Sequence, residues 1–315
     1  MKAIQITEFG GPEVMRYVEI ADPVLREGDV LLDVTAIGIN YADTHQTEDS
    51  YLSKQKLPLV PGIEVVGTYE GKRYLAFVGA GGYAQKAAVN KDSLIPIPQQ
   101  VNDGEALAMA VQGSTAFHIL KTVGHIKSGE CVVVHAGAGG VGSLAIQLAK
   151  LWGARVVAVT SRDEKKELCR ELGADVVVDA NEEDLTKALI AANNGKPVDL
   201  ILEMVGGKTF DQSLNALAPF GRMVTYGMAS RTAPTPIHSG SLMGTSRTIT
   251  GFWLAHCFGK KELMGDVIAE LFSLIAAGKL RVIVGQTFPL SKAADAHRAM
   301  LARTTTGKIV LDPSA

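Results

Sequence analysis

The run Gly137-Ala138-Gly139-Gly140-Val141-Gly142 has the residue types and spacing of a turn that cradles phosphate. Alone, a G-x-G-x-x-G match is a weak signal. Here it follows the apolar run 131–135 and opens an amphipathic stretch over 143–151, which is the context the chemistry requires. In such a turn Gly137 permits the tight bend. Gly139 lets the backbone approach a pyrophosphate, and Gly142 lets the helix pack closely on the strand. Unpaired N–H groups at the helix start, with the positive end of its dipole, favour the anion.

The next strand tip selects among dinucleotides. An acid there accepts from the ribose 2′-OH of NAD, whereas a site for NADP lacks the acid and supplies cations. The run Val156-Val157-Ala158-Val159 leads into Thr160-Ser161-Arg162 with no acid at the tip. Arg162 offers a planar fork to a 2′-phosphate, Lys165 a point charge and Ser161 a hydroxyl donor. The expectation is NADPH. The same residues also fit a solvated helix start, where Asp163 and Glu164 would repel a phosphate if they faced inward.

Other chemistries find little support. Cys131, Cys169 and Cys257 are far apart with no CxxC pair, against both a disulfide framework and a thiol-rich zinc lobe. Of the histidines no two have ligand-like spacing, and His118, His135 and His256 read as core or strand-end residues. A net charge of −2 gives no reason to expect nucleic acid or an anionic membrane as partner. The apolar runs are strand-sized, well below the ~20 residues that span a bilayer. The first residues lack a signal-peptide run. The expectation is a soluble, cytoplasmic protein.

Elements that must carry the turn follow from periodicity. At 315 residues, two domains are expected. The N-terminal part holds short strand-like runs at 30–37, 64–70, 73–77 and 83–89. From about residue 130 the texture becomes buried strands (131–135, 155–159, 176–179, 200–204, 223–226) alternating with helices such as 143–151 and 164–172. This predicts a parallel, doubly wound α/β sheet, closed by a sixth strand at 248–254 and followed by an amphipathic stretch at 260–277. The tail, with a helix at 293–302 and a strand at 308–311, is expected to rejoin the first domain. The division is then 1–115 with 281–315, and 116–280. Residues 46–61 lack periodicity and read as a loop of functional length.

At this point the chain resembles the medium-chain dehydrogenase/reductase superfamily, and within it the zinc-free quinone oxidoreductases related to zeta-crystallin. The resemblance covers nearly the whole chain. It is carried by Gly38-Ile39-Asn40-Tyr41-Ala42-Asp43, Pro61-Gly62-Ile63-Glu64, Gln112-Gly113-Ser114-Thr115-Ala116, the run from His135 to Lys150, and Thr306-Gly307-Lys308-Ile309-Val310-Leu311. It implies a Rossmann domain plus a discontinuous, mainly β, GroES-like catalytic domain. The zinc alcohol dehydrogenases of the superfamily have Cys in place of Asn40 and His in place of Ile63. Glu64 alone cannot hold a catalytic zinc, which needs about three protein ligands. No metal is expected. Related bacterial quinone reductases place a Tyr at the 2′-phosphate where this chain has Ala180, which leaves that role to Ser161, Arg162 and Lys165.

The resemblance also implies site residues. It puts Asn40 beside the nicotinamide, with an amide able to donate to a developing oxyanion. Tyr41 and Tyr51 follow as a platform for a planar ring and as proton sources, although Tyr51 equally suits a loop anchor. Asp43 either acts on substrate or orients the Asn40 loop. Thr115 is expected to contact the cofactor, as are Val205, Gly227, Met228, Phe252 and Leu254 at the strand ends, with Lys308 reaching in from the tail. The function so implied is hydride transfer from NADPH to a quinone, placed mainly by proximity and alignment. Reduction of an activated C=C bond in an enal or enone is the alternative, and a non-catalytic NADPH-binding sensor or structural protein a third. Relatives usually pair their sixth strands, so a homodimer through the 248–254 edge is expected.

Overall fold

A computed structural model describes residues 1–50 and 52–315. The chain forms two compact units: Met1–Gln112 with Ile268–Ala315, and Gly113–Val267.

The first unit is built on strands. β1 (Lys2–Gln5) and β2 (Arg16–Glu19) form an antiparallel pair. β3 (Asp29–Ile39) is the central strand, followed by helix α1 (Tyr41–Thr47), then β4 (Glu64–Tyr69), β5 (Lys72–Phe77), β6 (Lys86–Asn90) and β7 (Ile95–Pro96). Helix α2 (Asp103–Ala108) leads into a π-helical segment, Met109–Gly113. Along β3, Leu32 and Val34 are buried while Asp33 and Thr35 are exposed, the alternation of a strand with one face in the core. From Ala36 to Ile39 every residue is buried, so the strand delivers its end into the interior.

The second unit starts with α3 (Ser114–Phe117) and contains β8 (Cys131–His135), α4 (Gly140–Leu151), β9 (Arg155–Thr160), α5 (Asp163–Glu171), β10 (Val176–Asp179), α6 (Leu185–Ala192), β11 (Val198–Glu203), α7 (Gly207–Ala216), β12 (Leu217–Thr225), α8 (Ser239–Thr245) and β13 (Thr248–Gly251). Its six strands lie in the order β10-β9-β8-β11-β12-β13, every pairing parallel. The order reverses between β8 and β11. Ligands of doubly wound sheets bind at that switch point, outside the carboxyl ends of the strands. Val133, Val157 and Ile201 from the sheet pack with Leu189 of α6 and Phe210 of α7, which buries the continuous apolar character of these strands.

Helix α9 (Gly265–Ala276) leads out of this unit, and the tail adds β14 (Val284–Pro289), α10 (Ala293–Leu301) and β15 (Lys308–Asp312). β15 inserts between β14 and β3, so the sheet of the first unit runs β14-β15-β3-β4-β5-β7, with β6 also on β3. Ile37 and Ile39 of β3 join Ile309 and Leu311 of β15 in one core.

Several expected boundaries shift. The chain returns to the first unit at Ile268, not at 281, because the later turns of α9 make their contacts there. The strand expected at 248–254 ends at Gly251, since Leu254–Cys257 coils into a 3-10 turn. Gln46 and Thr47, read as the start of a loop, are the last turn of α1. Among the described residues no helix is long and apolar enough to cross a membrane.

Candidate functional site

Helix α4 begins at Gly140, with Gly139 as its N-cap, so the last three motif residues already form the first helical turn. The N–H groups of Gly140, Val141 and Gly142 therefore lack partners within the helix. A Cβ on Gly142 would fall on the Ala136 carbonyl oxygen and lie 2.8 Å from Gly137 Cα, so this glycine does allow helix and strand to touch. Gly137 differs from expectation. The left-handed residue of the turn is Ala136 (φ 50°), and a Cβ on Gly137 would meet Cys169 Sγ at 2.9 Å and Ala158 Cβ at 3.0 Å. Gly137 serves close packing rather than the bend. A Cβ on Gly139 would meet only Ala136, at 3.1 Å from its oxygen, and otherwise project into space no protein atom fills. That open side is the cradle a diphosphate requires, so the turn fits a dinucleotide.

At the tip of β9, Thr160 is buried, Ser161 and Lys165 are half-buried, and Arg162 is exposed at the N-cap of α5. Asp163 and Glu164 are exposed, and Asp163 lies 3.2 Å from Lys166 Nζ. Lys166, which carries no motif signal, also pairs with Asp179 at 2.6 Å, at the tip of the neighbouring strand. The other expected contacts sit on the same edge of the sheet. Val205 follows β11, Gly227 and Met228 follow β12 and are exposed, and Phe252 and Leu254 follow β13. Thr115 is buried in α3.

Glu203, the last residue of β11, was not singled out from sequence. It is fully buried, and its Oε1 accepts the N–H groups of Val205 (2.8 Å) and Gly206 (2.9 Å). Burial pushes its carboxyl up, against the pull of those two bonds. The Ala229 and Ser230 N–H groups donate to the Met204 and Val205 carbonyls, both at 2.8 Å, so the turns after β11 and β12 are strapped together.

In the first unit, Asn40 follows β3 and caps α1. Its backbone N–H donates to Asp43 Oδ2 at 2.9 Å. Its side-chain Nδ2 donates to Glu64 Oε1 at 2.8 Å, and its Oδ1 accepts from Lys308 Nζ at 3.3 Å. Lys308 pairs with the same Glu64 oxygen and donates to the Ile39 carbonyl at 3.1 Å. Glu64 Oε2 accepts the N–H of Val111, in the π-helical turn, at 3.0 Å. Asn40 is 5%, Glu64 0% and Lys308 1% exposed. A Cβ at residue 38 would overlap the Glu64 carboxylate, so Gly38 is what admits this acid beneath β3.

Asp43 is buried, and burial pushes its carboxyl up to about 7, against the Asn40 N–H and the Tyr83 hydroxyl that favour its charge. Tyr83 donates to Asp43 at 2.8 Å and lies 2.9 Å from His297 Nε2. Burial holds His297 neutral by pushing it down to about 4.

These positions revise the expectations. Asp43 orients the Asn40 turn from inside the core. Lys308 spends its ammonium on Glu64, Ile39 and Asn40 rather than reaching outward. Tyr41 is half-buried at the first position of α1, and Tyr51 lies outside the described residues. His118 and His135 are buried as expected, but His256 is exposed on the turn after β13. Glu64 is committed to its three partners, and among the described residues no group of three His, Cys, Asp or Glu could hold a metal ion. The roles of Tyr83 and His297 had no signal in the sequence, since neither lies in a recognisable motif.

Comparison with known proteins agrees with this architecture. Residues 140–273 match the zinc-binding dehydrogenase family and residues 26–73 the alcohol dehydrogenase GroES-like domain. A quinone oxidoreductase of Pseudomonas aeruginosa is 32% identical over 332 residues, covering 99% of both chains. A 2-haloacrylate reductase of a Burkholderia species is 31% identical, with 99% of each chain covered. The quinone oxidoreductase from Thermus thermophilus, solved also as its complex with NADPH, superimposes with a TM-score of 0.89 at 38% identity, over 99% of this chain and 100% of that one. The first relative matches end to end above 30% identity. The chain therefore belongs to the quinone oxidoreductase family, with a GroES-like unit joined to a Rossmann-type one.

Proposed function

We propose that this protein is an NADPH-dependent quinone reductase that works without a metal. The observation that carries the reading is the commitment of Glu64. This acid belongs to the pattern that holds zinc in related dehydrogenases, yet here it is bonded to Lys308, Asn40 and Val111. An amide, rather than a metal, is then the group presented to a substrate oxygen. NADPH supplies a hydride when bound. The quinone takes up that hydride, its oxygen gains negative charge, and a proton from water completes the hydroquinone. The chain's own tasks are to hold the diphosphate on Gly139–Gly142, to meet the 2′-phosphate with Ser161, Arg162 and Lys165, and to donate from Asn40 to the charged oxygen. Thr115, Val205, Gly227, Met228, Phe252 and Leu254 contact the nicotinamide half, and Tyr41 lines the acceptor side.

A steady-state panel of 1,4-benzoquinone, 9,10-phenanthrenequinone, an enal and a simple alcohol tests this reading. Turnover of quinones is expected, and activity on the alcohol alone would refute it. Activity confined to the enal would instead favour reduction of an activated C=C bond, a second reading supported by the 2-haloacrylate reductase among the relatives.

Changing Arg162 and Lys165 together to alanine is expected to raise the KM for NADPH by roughly tenfold or more while leaving that for NADH within about twofold. Equal effects on both cofactors would remove these residues from the 2′-phosphate site.

The same reading makes the protein a cytoplasmic homodimer. Its three cysteines are free and buried, in keeping with a reducing compartment. Strand β13 is an edge of the sheet, and near it Phe220 and Met243 are 79% and 80% exposed. The Phe220 N–H donates to the Ser246 carbonyl at 2.7 Å. Pairing of two such edges would cover both side chains. Light scattering is expected to give twice the chain mass, and a single-chain mass would rule the pairing out.

A further inference from the structure

We infer that Lys308 and Glu64 are positioning residues that lock the Asn40 amide in one of its two flip states. This leaves one Nδ2–H to donate to the substrate oxygen that becomes negative. The inference rests on the proposed reduction, and it assigns a purpose to a buried ion pair that the reaction does not otherwise use.

An asparagine amide is nearly symmetric in shape, so packing alone does not choose between its two orientations. Chemistry does. A carboxylate only accepts and an ammonium only donates. Asn40 Nδ2 faces Glu64 Oε1 at 2.8 Å, and Oδ1 faces Lys308 Nζ at 3.3 Å. Turned over, the amide would set its carbonyl against the carboxylate and its NH₂ against the ammonium. Both bonds would be lost and two repulsions gained, at a place where burial denies water as a substitute. Asn40 has two amide hydrogens, and Glu64 takes one.

The partners are themselves fixed. Val111 N–H holds the second Glu64 oxygen, the Ile39 carbonyl holds Lys308, and Gly38 leaves the space the carboxylate occupies. Asp43 holds the Asn40 backbone from the other side. A buried ion pair adds little net stability, because desolvation of both ions offsets their attraction. Orientation of the amide is what the pair supplies that two apolar side chains would not.

The test compares Lys308→Met, the paired change Lys308→Met with Glu64→Gln, Asn40→Ala, and the triple combination. The paired change leaves no lone buried charge, so it keeps the test available if Lys308→Met alone does not fold. Three quantities are read: kcat with 1,4-benzoquinone, the Kd for NADPH from its fluorescence, and the Kd for 4-nitrophenolate, a stable phenolate, from its absorbance. The paired variant is expected to lose about tenfold or more in kcat and in 4-nitrophenolate affinity, with the NADPH Kd within about twofold of the parent. In the Asn40→Ala background the same pair should cost less than about twofold further, because the amide it orients is gone. Parental kcat and phenolate binding in the paired variant, or losses that multiply with Asn40→Ala, would overturn the inference. If the parent protein reduces no quinone or enal, the proposed function falls, while 4-nitrophenolate binding still decides whether the amide is locked.

Discussion

Asn40→Ala is expected to lower kcat for quinone reduction ~100-fold, in line with removal of a single preorganised oxyanion donor. The Kd for NADPH should remain within about twofold, since the residues proposed to hold the diphosphate and 2′-phosphate lie in the other unit. The size of the effect follows from where the donor sits. Asn40 is held by its backbone to Asp43 and by its side chain to Glu64 and Lys308, so its remaining N–H is aimed before substrate arrives and needs no reorganisation. Alanine removes that donor and also leaves the buried Glu64 and Lys308 with one partner fewer, so a lower melting temperature should accompany the kinetic loss. Single-turnover oxidation of NADPH at saturating quinone separates the two effects. A hydride-transfer rate within about threefold of the parent would take Asn40 out of the reaction.

The second large effect lies in the glycine turn, where two substitutions of the same kind should behave differently. Gly142→Ala places a methyl on the Ala136 carbonyl oxygen and against Gly137 Cα, both of them backbone that cannot swing aside. Forced overpacking of this kind costs about 1–3 kcal/mol. The melting temperature should fall by several degrees, and NADPH binding with it. Gly139→Ala meets only Ala136, at 3.1 Å, and its methyl points into the open side of the turn. Stability should barely change, while NADPH affinity falls by about tenfold or more because the methyl occupies the place of the diphosphate. Differential scanning fluorimetry alongside NADPH titration reads both. If Gly139→Ala binds NADPH as the parent does, the diphosphate does not lie over that glycine.

The cofactor unit was the more legible part of the chain. Strands 131–135 and 176–179 match their expected limits, because a short valine-rich run bounded by turn residues leaves little choice of element. Helix α4 begins earlier than 143, since glycines were read as turn although residues 140–142 are already helical. The catalytic unit was harder to read. The periodicity places Tyr83 at the start of a strand, yet the strand begins at Lys86, and Tyr83 turns inward to Asp43. The π-helical turn that presents Val111 to Glu64 has no propensity signature. Above all, Glu64 and Lys308 are 244 residues apart, and nothing local in either segment announces the pairing. Read alone, Glu64 is a leftover of a metal pattern and Lys308 a cation reaching toward the cofactor from a tail. Only the insertion of β15 beside β3 makes them one site.

That insertion also sets an order of events during synthesis. The cofactor unit, residues 113–267, is contiguous and can fold while the chain is still emerging from the ribosome, as domains generally do. The catalytic unit cannot finish then. Its central strand β3 emerges early but waits for β15, which carries Lys308 and is made after the whole of the cofactor unit. Until it arrives, Glu64 has no cation and the edge of β3 that β15 will cover stays open. The nascent protein thus acquires its grip on the cofactor first and its means of using it last.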